Sequence, residues 1–100
     1  MTLKAAFIFV APGVDIDKDR NTIVTPHVEL TTAGAANYKE AQAVAVKLVE
    51  EGIEAIELCA GFGNKGTALI TEAVAGKAAV GVVRFDNHPG LGGKSGDELF

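Results

Sequence analysis

The sequence predicts a small α/β domain built around a four-stranded, mostly parallel sheet. Two observations carry that expectation. Strand-like and helix-like segments alternate from start to finish, which implies right-handed crossovers between parallel strands. The first strand-like run is continuously apolar, as suits a strand buried on both faces. One hundred residues make one domain, 1–100, with a glycine-rich tail over 87–100.

The elements follow in order. Lys4 to Ala11 reads as the first strand, closed by Pro12-Gly13. Asp15 is a cap for a short helix from Ile16 to Val24, with Ile16, Ile23 and Val24 on one face. Val28 to Ala33 is rich in strand formers and alternates in part, so it is placed at an edge of the sheet. Asn37 with Glu40 three residues on has capping-box spacing. Ala41, Val44, Ala45, Leu48 and Val49 then follow a helical stripe. Val46 lies off that stripe and is available to extend a contact surface. Gly52 ends the helix in a left-handed conformation. Ala55 to Ala60 is the third strand. Asn64 is expected to cap a helix carrying Leu69, Ile70, Ala73 and Val74, which ends at Gly76. Val80 to Phe85 is the fourth strand, and the tail is a loop without further elements. The resulting expectation is a three-layer fold with the flavodoxin-like strand order 2-1-3-4.

Composition narrows the function classes. A net charge of −4 opposes binding to nucleic acid or to an anionic membrane. The single cysteine, Cys59, rules out an internal disulfide and a cysteine-rich zinc site. The run from Ala5 to Ala11 is too short to span a bilayer and lacks the features of an export signal, so a cytoplasmic location is expected. Asp15, Asp17 and Asp19 lack the glycine and closing glutamate of a calcium loop, and His27 and His88 are far apart; no metal site is expected. The residues name no cofactor.

In open α/β sheets, ligands bind beyond the carboxyl ends of the strands, near the reversal of strand order. Those ends are Pro12-Gly13, Cys59 to Asn64, and Asp86 to His88. Within them, Gly61-x-Gly63-x-x-Gly66 precedes a helix, and Asp86 lies twenty residues after Gly66, as in a dinucleotide fingerprint. Either a tight turn or a phosphate cradle satisfies this spacing. Gly93-Lys94-Ser95 resembles the end of a P-loop, but His88 stands where a glycine is required. Glu57 and Arg84 each interrupt an apolar strand, and as neighbours they would form an ion pair; the alternative is a solvated edge. Cys59 and His88 are the candidate nucleophile and base.

The strings Ile56 to Gly63, Gly81 to Asp86 and His88 to Phe100 together resemble a small bacterial family of about this length whose role has not been established. The resemblance runs along the full chain. It implies a stand-alone domain and transfers no catalytic residue.

The leading expectation is a protein that binds a small anionic metabolite through Pro12, Gly61, Gly63, Asn64, Arg84 and Asp86, with Cys59 and His88 as catalytic candidates if a reaction follows. Arg84 would hold a carboxylate or phosphate. Phosphate or nucleotide binding through the Gly61–Gly66 turn is one alternative. The other is a structural or regulatory module acting as a homo-oligomer, most simply a dimer, because a sheet this small leaves edges and helix faces to cover.

Overall fold

A computed structural model describes residues 2–100, organised by one five-stranded sheet in the order β2-β3-β1-β4-β5. The strands are β1 (Leu3–Val10), β2 (Arg20–Val24), β3 (Val28–Ala35), β4 (Ala55–Leu58) and β5 (Ala79–Val82). Two long helices, α1 (Tyr38–Glu50) and α2 (Asn64–Val74), form the crossovers, and a short α3 (Gly96–Leu99) follows. β1, β3, β4 and β5 run parallel, while β2 is antiparallel to β3. The four expected strands are all present, and they lie in the expected 2-1-3-4 order.

Four expectations about the architecture need correction. The segment from Ile16 to Val24 is not a helix. Asp15 does seed a turn: its side chain accepts the N–H of Asp17 at 2.9 Å, and its carbonyl accepts that of Asp19 at 2.8 Å. The turn then stops, because Thr22, Ile23 and Val24 are β-branched and the neighbouring edge of β3 is open to them. The added strand is tied in by a Thr22–Thr31 hydroxyl contact of 2.9 Å. The Arg20 guanidinium makes a two-pronged ion pair with Glu51 beyond α1. As a result β3 is interior and not at an edge.

The third correction concerns layers. The path from β3 over β1 to β4 and the path from β4 to β5 advance in the same direction across the sheet. Right-handed crossovers therefore place both helices on one face. α1 packs on β3 and β1, α2 packs on β5, and the helices pack on each other. The connection from β1 to β3 is β2 itself, so no helix reaches the other face. The fold has two layers, not three. Ala6, Ile8 and Val10 of β1 and Ile56 and Leu58 of β4 meet Ala41, Ala45, Leu48, Ile70 and Val74 in the core. Their alternates, such as Phe7, Phe9 and Glu57, lie on the helix-free face. Fourth, the tail is not a plain loop. It forms a 3₁₀ turn at Pro89–Leu91 and the single helical turn of α3.

The helix ends follow local chemistry. Asn37 Oδ1 accepts the Glu40 N–H at 2.8 Å, and the Glu40 carboxylate reaches back to the Ala36 N–H at 2.9 Å. Gly52 follows the helix with φ +97°. At α2, Gly63 occupies the cap position and Asn64 is the first helical residue. Its other end departs from expectation as well: Ala75 takes the left-handed conformation (φ 51°) one residue before Gly76. An alanine there carries a steric cost that glycine avoids. Ala75→Gly is therefore expected to stabilise the fold by about 0.5–1 kcal/mol, read as a higher urea midpoint at unchanged slope.

Candidate functional site

The carboxyl ends of β4 and β5 open onto a cleft of about 360 Å³. One wall is the strand-end segment Val82 to Asp86. The start of α2, with Gly63, Asn64 and Thr67, forms a second wall. The tail from Gly93 to Gly96 closes the third, and His88 lies between.

The start of α2 is built from distant parts of the chain. After β4, Cys59 turns the backbone: its thiol sulfur accepts the Gly61 N–H at 3.3 Å and its carbonyl accepts that of Phe62 at 3.0 Å. Phe62 stacks on the buried Tyr38 ring, with centroids 5.5 Å apart. The Tyr38 hydroxyl accepts the Gly63 N–H at 3.0 Å and donates to Asp97 Oδ1 at 2.7 Å. The same Asp97 carboxylate accepts the N–H groups of Lys65 at 2.9 Å and Gly66 at 3.0 Å. An acid from α3 thus sits where an anion would sit at a helix N-terminus.

The titration of this group follows from its contacts. Burial pushes the Tyr38 hydroxyl up to about 12; the Gly63 N–H opposes this, and the Asp97 carboxylate adds to it. Burial also pushes Asp97 upward, but the two N–H groups and the Tyr38 hydroxyl outweigh it and hold the carboxyl below its ordinary value.

These contacts explain the glycine spacing. A Cβ on Gly63 would lie 2.4 Å from Asp97 Cγ and Ser95 Oγ, and one on Gly66 would lie 2.4 Å from Tyr38 Cζ. A Cβ on Gly96 would lie 1.6 Å from the Gly61 carbonyl oxygen. The glycines admit the chain's own tail and tyrosine, and the amides of Gly61, Phe62, Gly63, Lys65 and Gly66 already have acceptors. The phosphate-cradle reading of the Gly61–Gly66 turn loses those donors.

Of the residues singled out in the sequence, Gly63, Asn64, Arg84, Asp86 and His88 line the cleft together, whereas Pro12, Cys59 and Gly61 do not. Pro12 sits in the exposed turn after β1, and the Cys59 thiol is engaged by its own turn. Glu57 and Arg84 are not a pair. Glu57 lies opposite Gly81 in the β4–β5 register and is exposed. Arg84 Nε donates instead to Asp86 Oδ1 at 3.0 Å, with the two side chains 87% and 86% exposed. Such an exposed pair adds little stability. It orients the guanidinium, whose terminal nitrogens make no hydrogen bond among the described residues. His88 Nδ1 accepts the Gly90 N–H at 3.0 Å, which leaves the proton of the neutral ring on Nε2. Its ring rests against Phe85, with centroids 4.8 Å apart.

Residues 3–98 match the profile of a family of unknown function, DUF6506. The chain belongs to that family. Its match covers every element of the sheet and reaches Asp97, so the tail that caps α2 lies inside the family's extent. No curated protein and no solved structure matches the chain. Among the described residues, no helix is long and apolar enough to cross a membrane.

Sequence reasoning missed Tyr38 and Asp97. Their signal is not local: the two are 59 positions apart, and each reads alone as ordinary, Tyr38 as a helix-start residue and Asp97 as a charge in the tail. The one available hint is that Tyr38 is the sole tyrosine and opens a helix at its capped end.

Proposed function

We propose that this DUF6506 protein binds a small anion, a carboxylate or a phosphate, in the cleft at the ends of β4 and β5. The observation that carries this reading is the set of basic groups around the concavity. Arg84 presents two uncommitted guanidinium nitrogens, Lys94 stands on the facing tail, and His88 offers an Nε2 proton, against one carboxylate at Asp86. A planar fork of donors suits bidentate recognition of a carboxylate or phosphate. The His88 ring, which lines the cleft with Nδ1 accepting from Gly90, is the group there suited to pass a proton if binding leads to reaction.

A thermal-shift series with inorganic phosphate, nucleotides and small carboxylates tests the reading. A ligand at 100 times its dissociation constant adds about 2.7 kcal/mol. That is about 10–20 °C for a domain of this size. Arg84→Ala is expected to abolish the shift and Lys94→Ala to reduce it, both with unchanged unliganded midpoints because the two side chains are exposed. A full panel without a shift, or a shift that survives Arg84→Ala, overturns the proposal.

A further inference from the structure

We infer that the helix-free face of the sheet is the contact surface of a homodimer, with a two-fold axis running along β1. That face carries one charged side chain, Glu57, across all five strands. It also exposes large apolar groups: Leu3 is 43% and Ile23 58% exposed. The strand lengths give a plan area of at most roughly 450 Å², reduced at Gly34 where Val14 and Phe9 already cover the sheet, so two copies bring together up to roughly 900 Å². A specific interface needs about 1,000 Å². The area therefore fits a reversible dimer.

The distribution of bulk points to a second copy of this chain as the occupant. In one row across the sheet, Ile23, Leu30, Ala5, Ala55 and Ala79 are neighbours, so in that row the large residues lie to one side of β1 and the small ones to the other. A two-fold axis along β1 sets β3 of one copy over β4 of the other, and β2 over β5. Leu30 then faces Ala55, and Ile23 faces Ala79. In the next row Glu57 faces Thr32, whose hydroxyl supplies a donor to the carboxylate, and Asn21 faces Gly81. A Cβ on Gly81 would meet nothing within 4 Å, so the recess it leaves is open. Each side thus supplies what the other lacks, as a self-matching interface requires.

Sedimentation velocity across the micromolar range tests this. The wild-type chain is expected to shift from monomer to dimer with concentration. Ile23→Lys and Ala79→Glu, both at exposed positions that leave the fold intact, should each weaken the dimer about a hundredfold or more by facing a lone charge with an apolar partner. An equimolar mixture of the two variants is expected to restore it, because one heterodimer contact becomes Lys against Glu and the other stays Ile against Ala. Circular dichroism of each variant confirms folding. A wild-type chain that stays monomeric, single variants that dimerise like wild type, or a mixture that stays monomeric each overturns the inference. The ligand shift and its dependence on Arg84 are read separately, at the carboxyl ends of β4 and β5.

Discussion

Asp97→Ala is expected to lower the unfolding free energy by roughly 2–3 kcal/mol. One carboxylate serves three donors: the N–H groups of Lys65 and Gly66 and the Tyr38 hydroxyl. Hydrogen bonds to a charged group contribute about 1.5–3 kcal/mol each, yet the three losses do not add. Once the carboxylate is gone the tail lifts, and water reaches the donors it had covered. At this size the loss corresponds to a fall in midpoint of about 10–20 °C. The pH dependence gives a second readout. The folded carboxyl titrates below its unfolded value near 4, so its contribution is complete above that value and lost as pH falls through the folded one. The gap between wild type and variant should therefore narrow in acid. A third readout is spectroscopic. Tyr38 is the sole tyrosine, and its ionisation is read directly by absorbance. It should titrate near 12 in the wild type and closer to 10 in the variant, where release of the tail uncovers the ring. A variant as stable as wild type, with an unmoved tyrosine titration, would show that Asp97 caps nothing that matters.

Gly66→Ala should cost about 3 kcal/mol, and its sign makes it decisive. Gly66 lies in the first turns of α2, and helix propensity alone makes alanine there about 1 kcal/mol better than glycine. The packing predicts the reverse. The new methyl would lie 2.4 Å from Tyr38 Cζ, 2.7 Å from Cε1 and 2.8 Å from Oη. The ring cannot swing aside, because Phe62 stacks on it and Phe100 lies 6.3 Å away. Separation of α1 from α2 is the remaining relief, and it opens the core. Urea unfolding should show a lower midpoint, with part of the loss recovered in the double variant with Tyr38→Leu. A stabilised single variant would mean that Gly66 serves only as a turn residue and that Tyr38 is not wedged against it.

Much of the fold was legible from spacing. The parallel run of the four expected strands follows from alternating elements and right-handed crossovers, the flavodoxin-like order matches theirs although β1 and β3 are joined by a strand and not by a helix, and α1 announced both of its ends through Asn37, Glu40 and Gly52. The error at Ile16–Val24 has a clear origin. A single capping aspartate was weighed above three consecutive β-branched residues, and the edge of β3 that recruits them is a tertiary fact. The missing third layer has a similar cause: only the knowledge that β2 is a strand shows that no helix joins β1 to β3. At the site, the sequence placed Arg84, Asp86, His88, Gly63 and Asn64 together because strand ends converge by geometry. It left the glycines open between a tight turn and a phosphate cradle. Their spacing is the same whether they admit a phosphate or an internal carboxylate, and the carboxylate arrives from 31 residues further along the chain.

The cap from Asp97 bears on the order in which the domain can close. β1 to β4 and both long helices lie at or before Val74, and so does every residue of the buried cluster, so most of the hydrophobic interior can gather without the tail. The amides of Lys65 and Gly66 find their acceptor only when Asp97 arrives. Docking of the tail is therefore a late, separable step: before it the interior is largely gathered and one helix end is still open to water, and the Asp97 carboxylate seals it.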